Sequence, residues 1–299
     1  MRLGVVILPD RSWRAGNSRW RKAEELGLDS AWTYDHIWWR GLRDVPWFAA
    51  MPTLSAAAAV TDRIRLGLMV GSPNFRHPVT LAKEAIAVDD ISAGRFWLGV
   101  GSGAPSAGDA EVLGGEPLTA RERAARFHEF VELTGELLNN QVVPSWRGRH
   151  YEAQEARMIP GSVQYPRLPL AVAASGNEGI RLAARYGDAW ITAGPANWLG
   201  GYTPQECLAT VTRQVGRLRQ ACAEAGRDFD RIDRIMIATP MCGDPLESAK
   251  SCLRIAEQYA EAGMTQLVVH WPRESGMYAG DERVLAEIAR EVHSRIAEL

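Results

Sequence analysis

Asp35 and His36 stand side by side at the end of a short apolar run, Ser-Ala-Trp-Thr-Tyr at 30–34, and Trp38 and Trp39 follow at once. A carboxylate beside an imidazole is equipment for moving protons. Imidazole is the side chain whose ordinary pKa lies nearest neutrality, and a neighbouring carboxylate can orient it or hydrogen-bond a ligand. Large indole rings nearby offer a wall for a flat ligand. A structural reading is also open, in which Asp35 caps the next segment and His36 packs as a core imidazole.

Other stretches carry related signals. Ser175-Gly176-Asn177 falls where a strand gives way to a helix. Small residues let backbone N–H groups approach an anion, and a helix N-terminus favours negative charge, so a phosphate cradle fits here. An ordinary N-cap and turn is the competing reading. Gly99-Val-Gly-Ser-Gly103 has G-x-G-x-G spacing with no helix directly after it. A dinucleotide fingerprint needs G-x-G-x-x-G and that helix, so only close approach of the backbone to a ligand, at Gly101 and Gly103, is expected. His270 ends an apolar run and can face a pocket. His77, before Pro78, reads as a helix entrance, and His128, His150 and His293 read as structural. No His, Cys, Asp and Glu grouping has metal-ligand spacing, and no G-x-S-x-G elbow occurs. Cys207, Cys222, Cys242 and Cys252 show no C-x-x-C pair and read as buried thiols.

The elements that must position these residues alternate along the chain. Strands are predicted at 2–8, 30–34, 63–70, 95–100, 168–173, 189–192, 234–238 and 266–270. Helices are predicted at 17–26, 48–60, 78–92, 119–139, 177–186, 203–225, 245–262 and 281–297. Pro78 suits a first helical turn, and Thr119 with Glu122 forms a capping-box pattern. The strand runs are apolar on both faces, as buried parallel strands are. Eight such units favour an α/β fold closed into a (β/α)₈ TIM barrel over a doubly wound open sheet, as one domain over 1–299. The segment 140–167 holds Pro144, Pro160 and Pro166, has poor periodicity, and is expected to be an insertion or lid. In a barrel the loops with the unusual residues all follow strands, so they share one end.

Composition narrows the function classes. The 299 residues are 46% hydrophobic and 23% charged, with a net charge of −2. No basic block stands out, which argues against nucleic acid as a partner. The opening apolar run breaks at Pro9, too short for a signal or membrane segment, so it reads as a strand and the protein as cytoplasmic. Of 11 tryptophans, several fall in expected loops (Trp13, Trp38, Trp39, Trp47, Trp198, Trp271), as an aromatic-walled pocket requires.

Several motifs together resemble the bacterial luciferase-like monooxygenase superfamily. They are Arg63-Ile-Arg-Leu-Gly67, Phe75-Arg-His-Pro78 with Leu81-Ala-Lys83, Asp90-Ile-Ser-Ala-Gly-Arg95 with Leu98-Gly-Val-Gly-Ser-Gly103, and Ala173-Ala-Ser-Gly-Asn177 with Leu182-Ala-Ala-Arg-Tyr-Gly-Asp-Ala-Trp190. Asp35-His36 resembles the signature of the branch that uses the deazaflavin coenzyme F420. The resemblance implies a barrel that binds F420 or FMN at the carboxyl ends of its strands, and a homodimer. It implies that His36 exchanges a proton with a small-molecule substrate, that Asp35 lies near cofactor and substrate, and that Trp38 or Trp39 stands at the pocket wall. Met69-Val70 would form a cis peptide behind the ring system, with Gly101, Gly103, Ser175, Gly176 and Asn177 also at the cofactor. The sugar-phosphate dehydrogenases of the branch carry a carboxylate where this chain has Ala104. No set of Lys and Arg is placed to hold a substrate phosphate, so a neutral, fairly apolar substrate is expected. Hydride transfer with F420 is the leading expectation. An FMN-dependent monooxygenase served by a separate reductase is the alternative, and a non-catalytic flavin-binding protein the third.

Overall fold

The computed structural model describes residues 1–39, 42–103, 108–116, 118–197 and 200–296. The chain runs β1 (Arg2–Val6), α1 (Trp13–Glu25), β2 (Ser30–Thr33), α2 (Ala50–Ala58), β3 (Arg65–Gly71), α3 (Pro78–Ile91) and β4 (Phe96–Gly101). It continues with α4 (Asp109–Val112), α5 (Ala120–Asn139), β5 (Val142–Arg147), β6 (Glu152–Arg157), β7 (Leu170–Ala173), α6 (Asn177–Tyr186) and β8 (Ala189–Thr192). Last come α7 (Pro204–Glu224), β9 (Asp233–Ile237), α8 (Ala249–Glu261), β10 (Gln266–His270), α9 (Glu282–Glu291) and α10 (His293–Ile296).

Strands β1-β10-β9-β8-β7-β4-β3-β2 close a parallel barrel, the expected (β/α)₈ architecture. The strand runs are apolar on both faces because both faces are covered: helices pack outside, and side chains such as Trp32 (2% exposed) fill the inside. The cap signals act as expected. Thr119 with Glu122 and Thr203 with Glu206 both form complete capping boxes, at the starts of α5 and α7. The predicted helix at 245–262 begins only at Ala249, where Ser248 caps it, and the one at 281–297 divides into α9 and α10. All four cysteines are free and buried. Among the described residues no helix is long and apolar enough to cross a membrane.

The segment 140–167 is an insertion rather than a lid. Its antiparallel β5–β6 hairpin is fastened to α5, where the Glu129 carboxylate accepts from the N–H groups of His150 and Tyr151. Beyond the hairpin, Asp89 on α3 accepts from the N–H of Val163 and the Nε2 of Gln164. These contacts hold the segment on the barrel's flank and keep it away from the site described below.

One carboxylate fixes the entry to β3. Glu24, on α1, accepts from the backbone N–H groups of Asp62, Arg63 and Ile64. Burial alone would raise this carboxyl, but the three N–H groups together outweigh it and the pKa lies below the ordinary 4.5. A depressed folded-state pKa means stability that is present above the unfolded value and lost as pH falls through the folded one. Glu24→Gln is therefore expected to cost about 1 kcal/mol at neutral pH, since one neutral acceptor replaces an anion. Urea unfolding should show this gap narrowing as the pH falls below the ordinary glutamate range and the native Glu24 takes up its proton; a gap independent of pH would contradict the assignment.

Candidate active site

A cavity of about 710 Å³ opens at the carboxyl ends of the barrel strands. Tyr34, His36 and Trp39, which follow β2, line one side. Gly101, Gly103 and Ser175, which follow β4 and β7, line another. The order of strands puts β4 two strands and β7 three strands round the barrel from β2, so the two sets line adjoining arcs of the opening. None of the lining residues comes from 140–167.

His36 is held by a carboxylate, but not by its neighbour in sequence. The imidazole Nδ1–H donates to Asp109 Oδ2 at 2.7 Å, and the Ile37 N–H donates to the other oxygen at 2.8 Å. Asp109 is fully buried on the short α4. A carboxylate fastened at both oxygens fixes the tautomer and plane of the imidazole. With Nδ1 engaged, Nε2 is the nitrogen left to serve the cavity.

Asp35, expected to orient His36 or bind a ligand, is not the carboxylate that holds the imidazole. Its two oxygens accept from Arg76 Nε at 3.0 Å and Arg76 Nη2 at 2.8 Å, and it is 1% exposed and not among the residues lining the cavity. Burial pushes the Asp35 carboxyl above its usual range, with Arg76 pulling the other way. Burial also works against the Arg76 charge, but Asp35 more than compensates, so the guanidinium holds its proton more tightly than usual. Guanidinium and carboxylate match as a planar fork, and the pair braces the chain behind His36.

The two tryptophans separate. Trp39 is buried in the cavity wall, edge-on to Tyr34 with ring centroids 5.4 Å apart. Trp38 does not line the cavity; the Arg43 guanidinium sits over its ring at 5.1 Å. Trp38 packs instead on Gly108, where an added Cβ would come within 1.9 Å of the indole. Gly108 has φ of 82° and immediately precedes Asp109, so Trp38 supports the start of the segment that delivers the His36 partner.

The adjoining wall is made of backbone. The Met69–Val70 peptide is cis, and the pairing of β3 with β4 shifts register between Leu68 and Gly71. This bulge fits because β4 has no side chains in its way: a Cβ on Gly99 would lie 2.1 Å from the Leu68 carbonyl oxygen, and one on Gly101 2.6 Å from Val70 Cγ2. Met69, Val70, Gly101 and Gly103 line the cavity. Ser175 does too, whereas Gly176 and Asn177 sit just outside it as the N-cap and first residue of α6. Nothing lies within 4 Å of a Cβ placed on Gly176, so the helix N-terminus has open space before it.

Several residues of the site carried no recognisable signal in the sequence. Asp109 lies in a Gly-, Ala- and Ser-rich stretch without periodicity, and Arg123 and Tyr278 are ordinary surface-type residues by context; Arg76 falls within the Phe75-Arg-His-Pro78 motif, but nothing there pointed to Asp35 as its partner. His270 is buried and shares a 2.7 Å hydrogen bond with Tyr34 Oη. Complete burial lowers its imidazole to about 3, so it stays neutral. His77 caps α3, as its position before Pro78 suggested. Ala104 and Trp198 lie outside the described residues.

The family model for the luciferase-like monooxygenases matches residues 1–295. The chain belongs to that family. Among similar proteins, an F420-dependent glucose-6-phosphate dehydrogenase of Amycolatopsis mediterranei (strain U-32) is 35% identical over 173 residues, covering 57% of this chain and 50% of that protein. The 4-hydroxyprotoasukamycin monooxygenase of Streptomyces nodosus subsp. asukaensis is 31% identical over 241 residues, covering 78% of this chain and 62% of that protein. The chain spans about half the length of the first curated relatives it matches. An F420-dependent secondary alcohol dehydrogenase, solved with an F420–acetone adduct, superposes with a TM-score of 0.80 over 99% of both chains at 18% identity. At that identity the likeness speaks for the fold alone.

Proposed function

We propose that this family member is an F420-dependent oxidoreductase in which His36 gives a proton to, or takes one from, a small uncharged organic substrate. The observation that carries the reading is the His36–Asp109 pair, with Nδ1 fixed at 2.7 Å and the ring in the cavity wall. Such an arrangement is what a proton-transferring imidazole needs: one nitrogen fixed, the other presented to the reacting atom. Relatives named as F420-dependent dehydrogenases support the cofactor.

The cavity fits a flat ring system with an anionic tail. The Met69–Val70 bulge and the side-chain-free Gly99 and Gly101 make a flat backbone wall. Ser175, the open N-terminus of α6 beyond Gly176 and the Arg123 guanidinium are suited to phosphate. Bound there, a deazaflavin would supply a carbon that accepts or donates hydride. The chain's own contribution is to hold that ring against the bulge, to move a proton at His36 Nε2, and to exclude water with Tyr34, Trp39 and Tyr278. Arg123 and His36 are the residues of the described lining that can carry a positive charge. With Arg123 beside the cofactor's phosphate site, no arginine or lysine remains among the described lining residues for a phosphorylated substrate, so the sugar phosphate named for several relatives is not the substrate proposed.

FMN-dependent monooxygenation, with a separate reductase, is the second reading. It is favoured by the Streptomyces nodosus relative, a monooxygenase whose match covers more of this chain than that of the first dehydrogenase relative. A homodimer acting as a single-domain catalytic unit belongs to both readings through the resemblance. Fluorescence titration of the apoprotein with F420 and with FMN separates them. Micromolar binding of F420 is expected; binding of FMN alone would replace the first reading with the second, and binding of neither would remove both.

A further inference from the structure

Gln214 is a polar residue in an apolar place. It lies on α7 within a buried stripe of Cys207, Val211, Val215, Leu218, Ala221 and Cys222, and is itself 2% exposed. An amide taken out of water is costly unless its donors and its acceptor are used. All of them are used here. Oε1 accepts from Thr192 Oγ1 at 2.8 Å. Nε2 donates to the carbonyl of Gly194 at 3.0 Å and to that of Ser175 at 3.2 Å. Thr192 Oγ1 in turn accepts from the Gly194 N–H at 3.0 Å. These partners settle which way the amide points: turned over, its oxygen would face two carbonyl oxygens.

The groups that Gln214 holds belong to the cavity. Ser175 follows β7, Thr192 ends β8 and Gly194 follows it, and all three line the opening. One side chain on an outer helix thus ties together the loops of two neighbouring strands, reaching 39 positions back along the chain. The segment before α6 is gripped a second time, where Trp190 Nε1 donates to the Ala174 carbonyl at 2.9 Å. Gly194 is fitted to its place: its φ is 89°, and a Cβ there would come within 2.6 Å of Cys207 Sγ. The Ser175–Gly176 peptide is trans, and in a trans peptide the C=O and N–H point in opposite directions. Fixing the Ser175 carbonyl on Gln214 therefore turns the Gly176 N–H away from α7. Gly176 is the N-cap of α6, and the first N–H groups of a helix have no partner within it.

We infer that Gln214 is a positioning residue for the cofactor's phosphate: by holding the Ser175 and Gly194 carbonyls from behind the cavity wall, it sets the direction in which the Gly176 N–H is offered. This rests on the reading above for a phosphate on that side of the cavity, and adds the residue that orients the groups receiving it. Gln214 does not line the cavity itself, so it acts through the two loops. The cofactor's ring, by the same reading, lies against the Met69–Val70 bulge, which β3 and β4 build. Loosening the loops after β7 and β8 should therefore cost the phosphate its contacts and leave the ring's contacts in place.

The test compares ligands with and without the phosphate. FMN and riboflavin are one pair. F420 and 8-hydroxy-5-deazariboflavin, which lacks the phosphate and the tail beyond it, are the other. Each is titrated by fluorescence into the native chain and into Gln214→Met, an unbranched replacement of similar length that suits a helix. In the pair that binds, the native protein should hold the phosphate-bearing member about tenfold or more tighter than its partner. Gln214→Met should weaken that member about tenfold or more, the size of a lost hydrogen bond to a charged group, and the phosphate-free member by less than about threefold. A glutamine with a merely structural role would lower Tm and leave the ratio between the two members unchanged. Thr192→Val keeps the side-chain shape and both Nε2 bonds but releases Oε1, so it should shift the ratio the same way by a smaller factor. Should Gln214→Met fail to fold, that variant decides, and an unchanged ratio in it overturns the inference. Equal losses for both members, or no loss for either, would also overturn it while leaving the cofactor reading standing. Binding of no ligand of either pair by the native protein would overturn both.

Discussion

His36→Ala is expected to leave the cofactor bound and to lower turnover by about 10²- to 10⁴-fold, the range that a positioned acid or base contributes. The substitution removes a half-buried ring from the wall, not a strut of the barrel, so the protein should fold and bind cofactor with near-native affinity. Turnover is followed as the change in cofactor absorbance with uncharged alcohols, ketones and enones. Asp109→Asn is the informative companion. The amide has a single acceptor oxygen, so it can accept from only one of the Ile37 N–H and the imidazole Nδ1–H, and it no longer stabilises a charged imidazolium. A smaller loss, about 10- to 100-fold, is expected, as for other groups that act by orienting a histidine. Turnover unchanged in His36→Ala would remove the imidazole from the chemistry. A loss in Asp109→Asn as deep as in His36→Ala would mean that the pair acts as one unit.

Legibility differed between the fold and the site for physical reasons. Strands β8 and β10 were legible to the residue, because each apolar run is buried on both faces and stops abruptly. The start of α5 was legible because a capping box is a local pattern, satisfied by residues three apart. The β5–β6 hairpin was not, because most of its residues are exposed and it carries Pro144 within a strand. The site was legible only as far as its parts are local. His36, Trp39, Ser175 and the glycines announce themselves at strand ends. The identity of the His36 partner does not, because Asp109 is brought in from a loop 73 positions away by tertiary packing. Adjacency in sequence suggested Asp35 instead. Side chains of neighbouring residues at a strand end need not share an environment, which also separated Trp38 from Trp39. Where the resemblance led to a carboxylate in place of Ala104 the sequence offered none; the fold supplies a carboxylate partner for His36, Asp109, from the next segment.

Removing the partner of Asp35 should have the largest effect on stability. Arg76→Ala would leave a carboxylate that is 1% exposed with no counter-ion, whereas the arginine itself, at 16% side-chain exposure, is close to water. Breaking a buried ion pair from one side costs about 3–5 kcal/mol, because the remaining charge is uncompensated. In a chain of this size that corresponds to a fall in Tm of roughly 5–8 °C. Asp35 is already raised by burial, and without Arg76 it loses the group pulling it back. The folded variant would then bind a proton over a pH range in which the unfolded chain has released it. Stability must therefore fall as pH rises through that range, and the deficit against the native protein should be larger at about pH 8 than at about pH 5. Adding Asp35→Ala to Arg76→Ala removes the stranded charge, so the double variant should be more stable than Arg76→Ala alone, a coupling that independent sites would not show. Denaturant unfolding of the three proteins at both pH values measures all of this. A double variant no more stable than Arg76→Ala would mean that packing, rather than the stranded charge, sets the cost.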